Sequence, residues 1–132
     1  MKITIRTKNL NLDQDLKNYV DEKIGETLEK LLIKERPPLE AGVELIRVTR
    51  HHQKGMVFRT EVNLILHGHE IIAEAGAYSI KEAIDRVKDE LETEIKRHRG
   101  KEKDLRIRKE RFFKKLLHLS PLAMFKKRKR KN

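Results

Sequence analysis

Residues 58–75 read FRTEVNLILHGHEIIAEA, and this stretch decides the fold. Up to Leu64, apolar side chains and one threonine alternate with polar ones, which is typical of a β-strand with one buried face. A short polar connection at residues 67–69 separates that run from a second strand-like run, Glu70 to Ala75. The stretch therefore predicts a β-hairpin with one face turned toward a hydrophobic core. The residues expected on that face of the longer strand are Phe58, Thr60, Val62, Leu64 and Leu66.

Two further strands are predicted on the N-terminal side of this hairpin. Residues 2–8 alternate polar and apolar side chains from the start of the chain. Val43 to Arg50 forms another strand-like run, and the polar segment 51–55 (HHQKG) separates it from the long run Met56 to Leu66. The sequence therefore predicts four strands in total.

The first of two predicted helices begins at Asp13, whose side chain is a suitable N-cap. Pro37-Pro38 is expected to end this helix, because proline lacks the backbone donor and disfavours helix in the residue before it. After Gly25 the apolar pattern continues with a drift in helical phase. The apolar stripe consists of Leu16, Tyr19, Val20 and Ile24, and then of Leu28, Leu31 and Leu32.

The second predicted helix begins at Ser79. Ser79 and Glu82 have the spacing of a capping box, in which each side chain satisfies a free backbone N–H. Gly100 is the expected end of the helix, just after a group of cations that suits the negative end of the helix dipole. The apolar stripe is Ile80, Ile84, Val87, Leu91 and Ile95.

The element order β-α-β-β-β-α predicts an α+β fold, in which a four-stranded sheet carries both helices on one face. Residues 1–100 are predicted to form this domain. Residues 101–132 are predicted to form a basic, flexible C-terminal extension, because blocks of like charge repel themselves and stay solvated.

The net charge of +11 is confined to that extension. Residues 101–132 contain 14 Lys+Arg against 3 Asp+Glu, whereas residues 1–100 contain 18 of each kind. A cationic segment releases counterions from phosphates, so it adds affinity for nucleic acid without reading sequence. Three other interpretations of the extension stay open. It fits a membrane-surface segment, because Phe and Leu stand among its cations. Residues 126–131 also fit a nuclear-import signal, and the whole extension fits a solubilising tail.

Several classes of function are disfavoured by the sequence. The chain has no cysteine, and no phosphate-binding glycine loop follows a strand. His67 and His69 flank a glycine without an evident third metal ligand, and no catalytic constellation appears. No signal peptide or apolar run long enough for a bilayer is present. We therefore expect a cytoplasmic protein that is not an enzyme and needs no cofactor, metal or small-molecule substrate.

A collinear series of short motifs is similar to the ribosome hibernation-promoting factor family, also called ribosome-associated inhibitors or subunit-interface proteins. The family's second helix typically reads Asp-Met-Tyr-Ala-Ala-Ile-Asp and ends in a Lys-His-Lys-like element. The resemblance covers residues 1 to about 100 of this chain. The segments that carry it are residues 16–20 (LKNYV) with Lys23 and Ile24, residues 58–64 (FRTEVNL), 70–75 (EIIAEA), 79–85 (SIKEAID) and 96–99 (KRHR).

The resemblance implies translational silencing by steric exclusion. Members bind the small ribosomal subunit and its rRNA in the channel shared by mRNA and tRNA, near the decoding centre. Long members also dimerise ribosomes through a separate C-terminal domain, which residues 101–132 are too short and too charged to form. The expected partner is the small ribosomal subunit, and the protein is expected to be ribosome-associated.

The RNA-binding residues are predicted partly from the resemblance and partly from the charge pattern. The resemblance assigns Lys17 and Lys23 on the first helix and Arg97 on the second. The complete predicted set is Lys17, Lys23, Arg86, Lys96, Arg97, Arg99, Lys101, Lys126, Lys127, Arg128, Lys129 and Arg130. Three positions that are usually basic in the family are Glu26, Glu90 and Thr93 here.

Two alternative functions stay open at this point. The basic extension on an α+β domain also fits a general RNA-binding or RNA chaperone module. The aromatic residues of the extension fit association with a membrane surface. The mixed charges on the second helix are, in addition, typical of a solvated face with local ion pairs.

Overall fold

The computed structural model describes residues 2–35, 39–48 and 57–119. The chain divides into two compact units, Met1–Lys96 and Arg97–Asn132. The first unit contains the sheet and its core, and the second contains the C-terminal part of the last helix.

Four strands form one mixed sheet in the order β1-β2-β3-β4. Strand β1 (Lys2–Lys8) pairs in parallel with β2 (Glu40–Arg47). Strand β3 (Phe58–Leu66) pairs antiparallel with β2 on one side and with β4 (His69–Ala77) on the other. The predicted α+β fold with four strands and two helices is confirmed.

The observed strand bounds differ from the predicted ones by a few residues. Strand β2 begins at Glu40 rather than Val43, and β4 runs on to Ala77. The β3–β4 connection is shorter than predicted, because His67 and Gly68 alone form it, with φ angles of 52° and 77°. Positive φ at both residues is the geometry of a tight two-residue hairpin turn. The predicted hairpin tip at residues 51–55 lies outside the described residues.

The first helix is continuous but changes its winding in the middle. It consists of α1 (Gln14–Val20), a π-helical turn (Asp21–Gly25) and α2 (Glu26–Leu31). The Asp13 carboxylate accepts a hydrogen bond of 2.7 Å from the backbone N–H of Leu16, so the predicted N-cap is confirmed. Residues 37–38, the predicted proline terminator, lie outside the described part of the chain.

The π-helical turn explains the phase drift in the sequence. Buried residues recur every four positions along this helix, at Leu16, Val20, Ile24, Leu28 and Leu32. In a regular α-helix a spacing of four advances about 40° beyond a full turn, so the stripe would rotate off the core. A π-helix has more residues per turn, because its hydrogen bonds join residues five apart. The wider turn therefore keeps all five side chains on the sheet.

The second helix, α3, runs from Ile80 to Leu119, so the predicted end at Gly100 is wrong. The backbone N–H of Glu82 donates to Ser79 Oγ at 3.2 Å, which places the N-cap as predicted. One interior glycine costs about 1 kcal/mol relative to alanine, and the Lys, Arg, Glu and Leu residues beyond it are strong helix formers. Residues 101–119 of the predicted flexible extension are helical, and residues 120–132 lie outside the described part.

The hydrophobic core lies between one face of the sheet and the two helices. Strand residues of alternating position point toward it, as the sequence pattern predicts. Thr60 is the polar exception in β3 and is fully buried. The core cluster consists of Leu16, Val20, Ile24, Leu28, Leu32, Ala41, Val43, Leu45, Val62, Leu64, Leu66, Ile71, Ala73, Ile84, Val87, Leu91 and Ile95.

The opposite face of the sheet, called the outer face below, is acidic across β2, β3 and β4. Glu44 is paired with Glu61, and Glu61 with Glu74, so three carboxylates form one row across three strands. Arg59 forms an ion pair with Glu74 at the end of the row. Glu40 and Glu70 occupy further outer-face positions, because their strand neighbours Ala41 and Ile71 are buried.

Candidate nucleic-acid interface

Tyr19 connects the first helix to α3. Its hydroxyl donates a hydrogen bond of 2.7 Å to the Asp85 carboxylate. Four residues earlier on each helix, Lys81 Nζ lies 3.0 Å from the Asp15 carboxylate. From the second contact to the first, the position moves four residues toward the C-terminus on both helices. The helix α1 and the beginning of α3 therefore run side by side and parallel.

Two lysines from different helices lie against the ring of Tyr19. Lys23 Nζ is 5.7 Å from the ring centroid and Lys81 Nζ is 5.2 Å from it. These distances are within the range of a cation–π interaction. Lys23 comes from the π-helical turn and Lys81 from the first turn of α3. We call Tyr19, Lys23, Lys81, Asp15 and Asp85 the Tyr19 cluster.

The Asp85 carboxylate keeps the Tyr19 hydroxyl protonated. This hydrogen bond raises the pKa of Tyr19 to about 12, and partial burial and the negative charges of Asp85 and Glu22 act in the same direction. The neutral hydroxyl is the donor in the bond, so ionisation of the tyrosine would replace an attraction by a repulsion.

We expect the contribution of this hydrogen bond to stability to disappear between pH 10 and pH 12. The pKa of Tyr19 is raised from 10.0 in the unfolded chain to about 12 in the folded one, so the stabilisation is complete below pH 10 and lost above pH 12. Denaturant unfolding of the wild type and Tyr19→Phe should differ by about 1–2 kcal/mol at neutral pH and converge over that window. Tyrosinate absorbance in a Tyr78→Phe background should follow Tyr19 alone. A constant difference at every pH would contradict the assignment.

The remaining predicted residues of the first unit have different surroundings. Lys17 is exposed on α1, and Lys96 is exposed at the end of the unit. Arg86 donates to Glu82 Oε1 at 2.9 Å and to the carbonyl of Gly76 at 3.1 Å. Because these contacts attach α3 to the end of β4, Arg86 has a structural role, and RNA binding by it stays a prediction.

The second unit contains the other predicted residues that the structure describes. Arg97 and Lys101 are exposed there, and Arg99 is half-buried. The predicted residues Lys126, Lys127, Arg128, Lys129 and Arg130 lie outside the described part of the chain. RNA binding by all of these residues stays a prediction.

The three departures from the family pattern are exposed side chains. Glu26 lies on α2, and Glu90 and Thr93 lie on α3. Thr93 Oγ1 donates a hydrogen bond of 3.1 Å to the backbone carbonyl of Asp89. These positions therefore present carboxylates and a locally bonded hydroxyl where basic side chains are usual in the family.

Sequence reasoning missed the Tyr19 cluster. The sequence pattern places Tyr19 in the apolar stripe of the first helix and Lys81 inside the capping box, and neither position indicates the cluster. The spacing of Tyr19 and Lys23 by four residues signals one contact within a helix. The contacts to Asp85 and Lys81 cross between elements more than sixty residues apart, and no local pattern indicates them.

Apolar side chains are exposed on the helix of the second unit. Phe113 and Phe112 are 66% and 62% exposed. The other exposed apolar residues there are Leu105, Ile107, Leu116 and Leu117. Within the described ranges, no helix combines the length and the apolar composition that crossing a membrane requires.

Most of the chain matches the model of one known protein family. The model of the family described as "Sigma 54 modulation protein / S30EA ribosomal protein" matches residues 3–103, which include the sheet except Lys2, all of the first helix and α3 as far as Lys103. The chain belongs to this family. Its members are non-enzymatic ribosome modulation proteins, so the predicted family and the predicted lack of enzyme activity are both confirmed.

Solved structures agree with the family assignment. The chain is similar to the N-terminal domain of Protein Y from Thermus thermophilus, with 29% identity and a TM-score of 0.57, over 74% of this chain and 99% of that one. A ribosomal subunit interface protein from Coxiella burnetii is 16% identical, with a TM-score of 0.56, over 76% of this chain and 99% of that one, and shows the shared fold. No curated protein matches the chain.

Proposed function

We propose that this protein silences translation by occupying the small ribosomal subunit in the channel shared by mRNA and tRNA, near the decoding centre. The observation that carries the proposal is the family match over residues 3–103, because this is the ribosome-associated family whose motifs the sequence resembles. The mechanism requires no chemistry. The folded domain excludes mRNA and tRNA by volume, and cationic side chains hold it on rRNA in the cytoplasm.

The domain in this proposal binds rRNA through the helices rather than the sheet. Lys17, Lys23 and Lys96 are exposed or half-buried on the helices of the first unit. Lys17 and Lys23 are also the first-helix positions that the family resemblance assigns to RNA contact. Their position supports contact between the helices and RNA.

Residues 101–132 add affinity for RNA. The domain itself lacks part of this affinity, because Glu26, Glu90 and Thr93 stand at positions that are usually basic in the family. Residues 101–119 contribute a net charge of +5 and residues 120–132 a net charge of +6. Phosphate contacts of this kind need no sequence readout, so the extension is proposed to follow neighbouring rRNA or the mRNA path.

Binding to purified small subunits and competition with tRNA test the proposal. We expect the full chain to co-sediment with small subunits at low salt, to dissociate as salt rises, and to lower tRNA occupancy. Arg97→Ala should weaken binding and reduce the dependence of log affinity on log salt by about 1, the effect of one phosphate contact. Unchanged tRNA occupancy at saturating protein would contradict steric exclusion. Equal affinity for arbitrary structured RNA would favour the general RNA-binding function instead.

A further inference from the structure

The Tyr19 cluster brings together two cations that are 58 positions apart in the sequence. Lys23 Nζ and Lys81 Nζ lie 5.7 Å and 5.2 Å from the same ring centroid, so they are at most about 11 Å apart. A lysine ammonium is a compact charge with three donors, and it contacts phosphate without reading a base. Two such groups at this separation are suited to one segment of a nucleic-acid backbone.

Tyr19 fixes the position of both lysines. Its hydroxyl is bonded to Asp85 on α3 while its backbone belongs to α1, so the ring is held at both ends of the side chain. Each ammonium lies within cation–π distance of that ring. Contact with a fixed surface restricts long flexible side chains before RNA arrives, and less ordering is then needed on binding.

The ion pair of Lys81 with Asp15 does not prevent phosphate binding. The side chain of Lys81 is 51% exposed and that of Asp15 is 77% exposed. Exposed ion pairs of this kind are weak, because water screens them. A phosphate can therefore replace the Asp15 carboxylate at Lys81.

We propose that Lys23 and Lys81 form a two-cation site for the phosphate backbone of RNA, with Tyr19 as the residue that positions them. The proposal rests on the proposed function and adds to it a contact, Lys81, that neither the charge pattern nor the family resemblance assigned. The family pattern quoted above has tyrosine where this chain has Lys81, so the second cation is a feature of this sequence.

Charge-neutralising variants of the full chain test the site. We expect Lys23→Gln and Lys81→Gln each to reduce the dependence of log affinity on log salt by about 1 in binding to small subunits, and the double variant by about 2. Lys2→Gln is the matched control, because it removes the same charge from the first strand, away from the helices. Lys2→Gln should leave the salt dependence unchanged.

Asp15→Asn separates RNA binding from a purely structural ion pair. If Lys81 binds phosphate, removal of its competitor should raise the affinity for small subunits, whereas Lys81→Gln should lower it. If the pair only stabilises the helices, both variants should lower the denaturation midpoint by similar amounts and leave binding unchanged, which would overturn the proposal.

The positioning role of Tyr19 has a separate readout. We expect Tyr19→Phe, which keeps the ring and loses the bond to Asp85, to weaken binding less than Tyr19→Leu, which loses both. Neither variant should have any effect on affinity in a Lys23→Gln/Lys81→Gln background. If both tyrosine variants weaken binding equally in the two backgrounds, Tyr19 acts through the fold alone and the positioning role is wrong.

The outcomes also separate this site from the proposed function. If the wild-type chain fails to bind small subunits, the proposed function itself is wrong. If the wild type binds and competes with tRNA, but Lys23→Gln and Lys81→Gln behave like Lys2→Gln, only the two-cation site is overturned.

Discussion

Removal of residues 101–132 is expected to weaken binding to small ribosomal subunits by orders of magnitude more than Arg97→Ala does. The deleted segment contains 14 Lys+Arg and 3 Asp+Glu, whereas Arg97→Ala removes one charge. Each phosphate contact contributes roughly 0.7–0.9 to the slope of log affinity against log salt. The salt dependence should therefore become much flatter after the deletion, measured by co-sedimentation over a series of salt concentrations.

Two truncations separate the contribution of the helix from that of the final residues. Truncation after Leu119 keeps α3 complete and removes six Lys+Arg without any acidic residue. If all six contact phosphate, the slope should fall by about 4–5. Truncation after Gly100 removes the helical residues 101–119 as well and should reduce the slope further. If the chain that ends at Gly100 binds as tightly as the full chain, the extension does not compensate for the acidic positions of the domain.

Ile84→Ala is expected to destabilise the fold by about 2–5 kcal/mol, because it leaves a cavity in a closely packed core. Ile84 is fully buried between α3 and the sheet. Ile72→Ala is the matched control, since it makes the same change on the outer face, where Ile72 is 44% exposed. The free energy of unfolding of the full chain, measured by denaturant titration, should fall strongly for Ile84→Ala and by well under half as much for Ile72→Ala. Similar losses for both variants would contradict the assignment of one core on one face of the sheet.

Local patterns predict most of this fold, because its strands have one buried face and its helices one apolar stripe. The alternation at Phe58–Leu66 and the caps at Asp13 and Ser79 each identify an element correctly. The end of α3 was not predictable from Gly100 alone, because the helix formers that follow outweigh the local cost of glycine. Propensity summed over the following residues would have indicated the continuation.

The candidate site was less predictable than the fold. The phase drift after Gly25 indicated an irregularity in the first helix, but the pattern did not identify it as a π-helical turn. The contacts of Tyr19 with Asp85 and Lys81 depend on the packing of two helices, which a local pattern does not specify. The family resemblance assigns Lys23 to RNA contact, and only the folded arrangement shows that it lies against the Tyr19 ring.

The row of carboxylates on the outer face has a consequence for the pairing of the strands. Glu44, Glu61 and Glu74 are direct cross-strand neighbours, and like charges in such positions destabilise a sheet. Cations stand at both ends of the row, because Arg6 is paired with Glu44 and Arg59 forms an ion pair with Glu74. The middle carboxylate, Glu61, instead faces a like charge on each neighbouring strand. Its charge is therefore a local cost to the sheet, which the hydrophobic core on the other face has to outweigh.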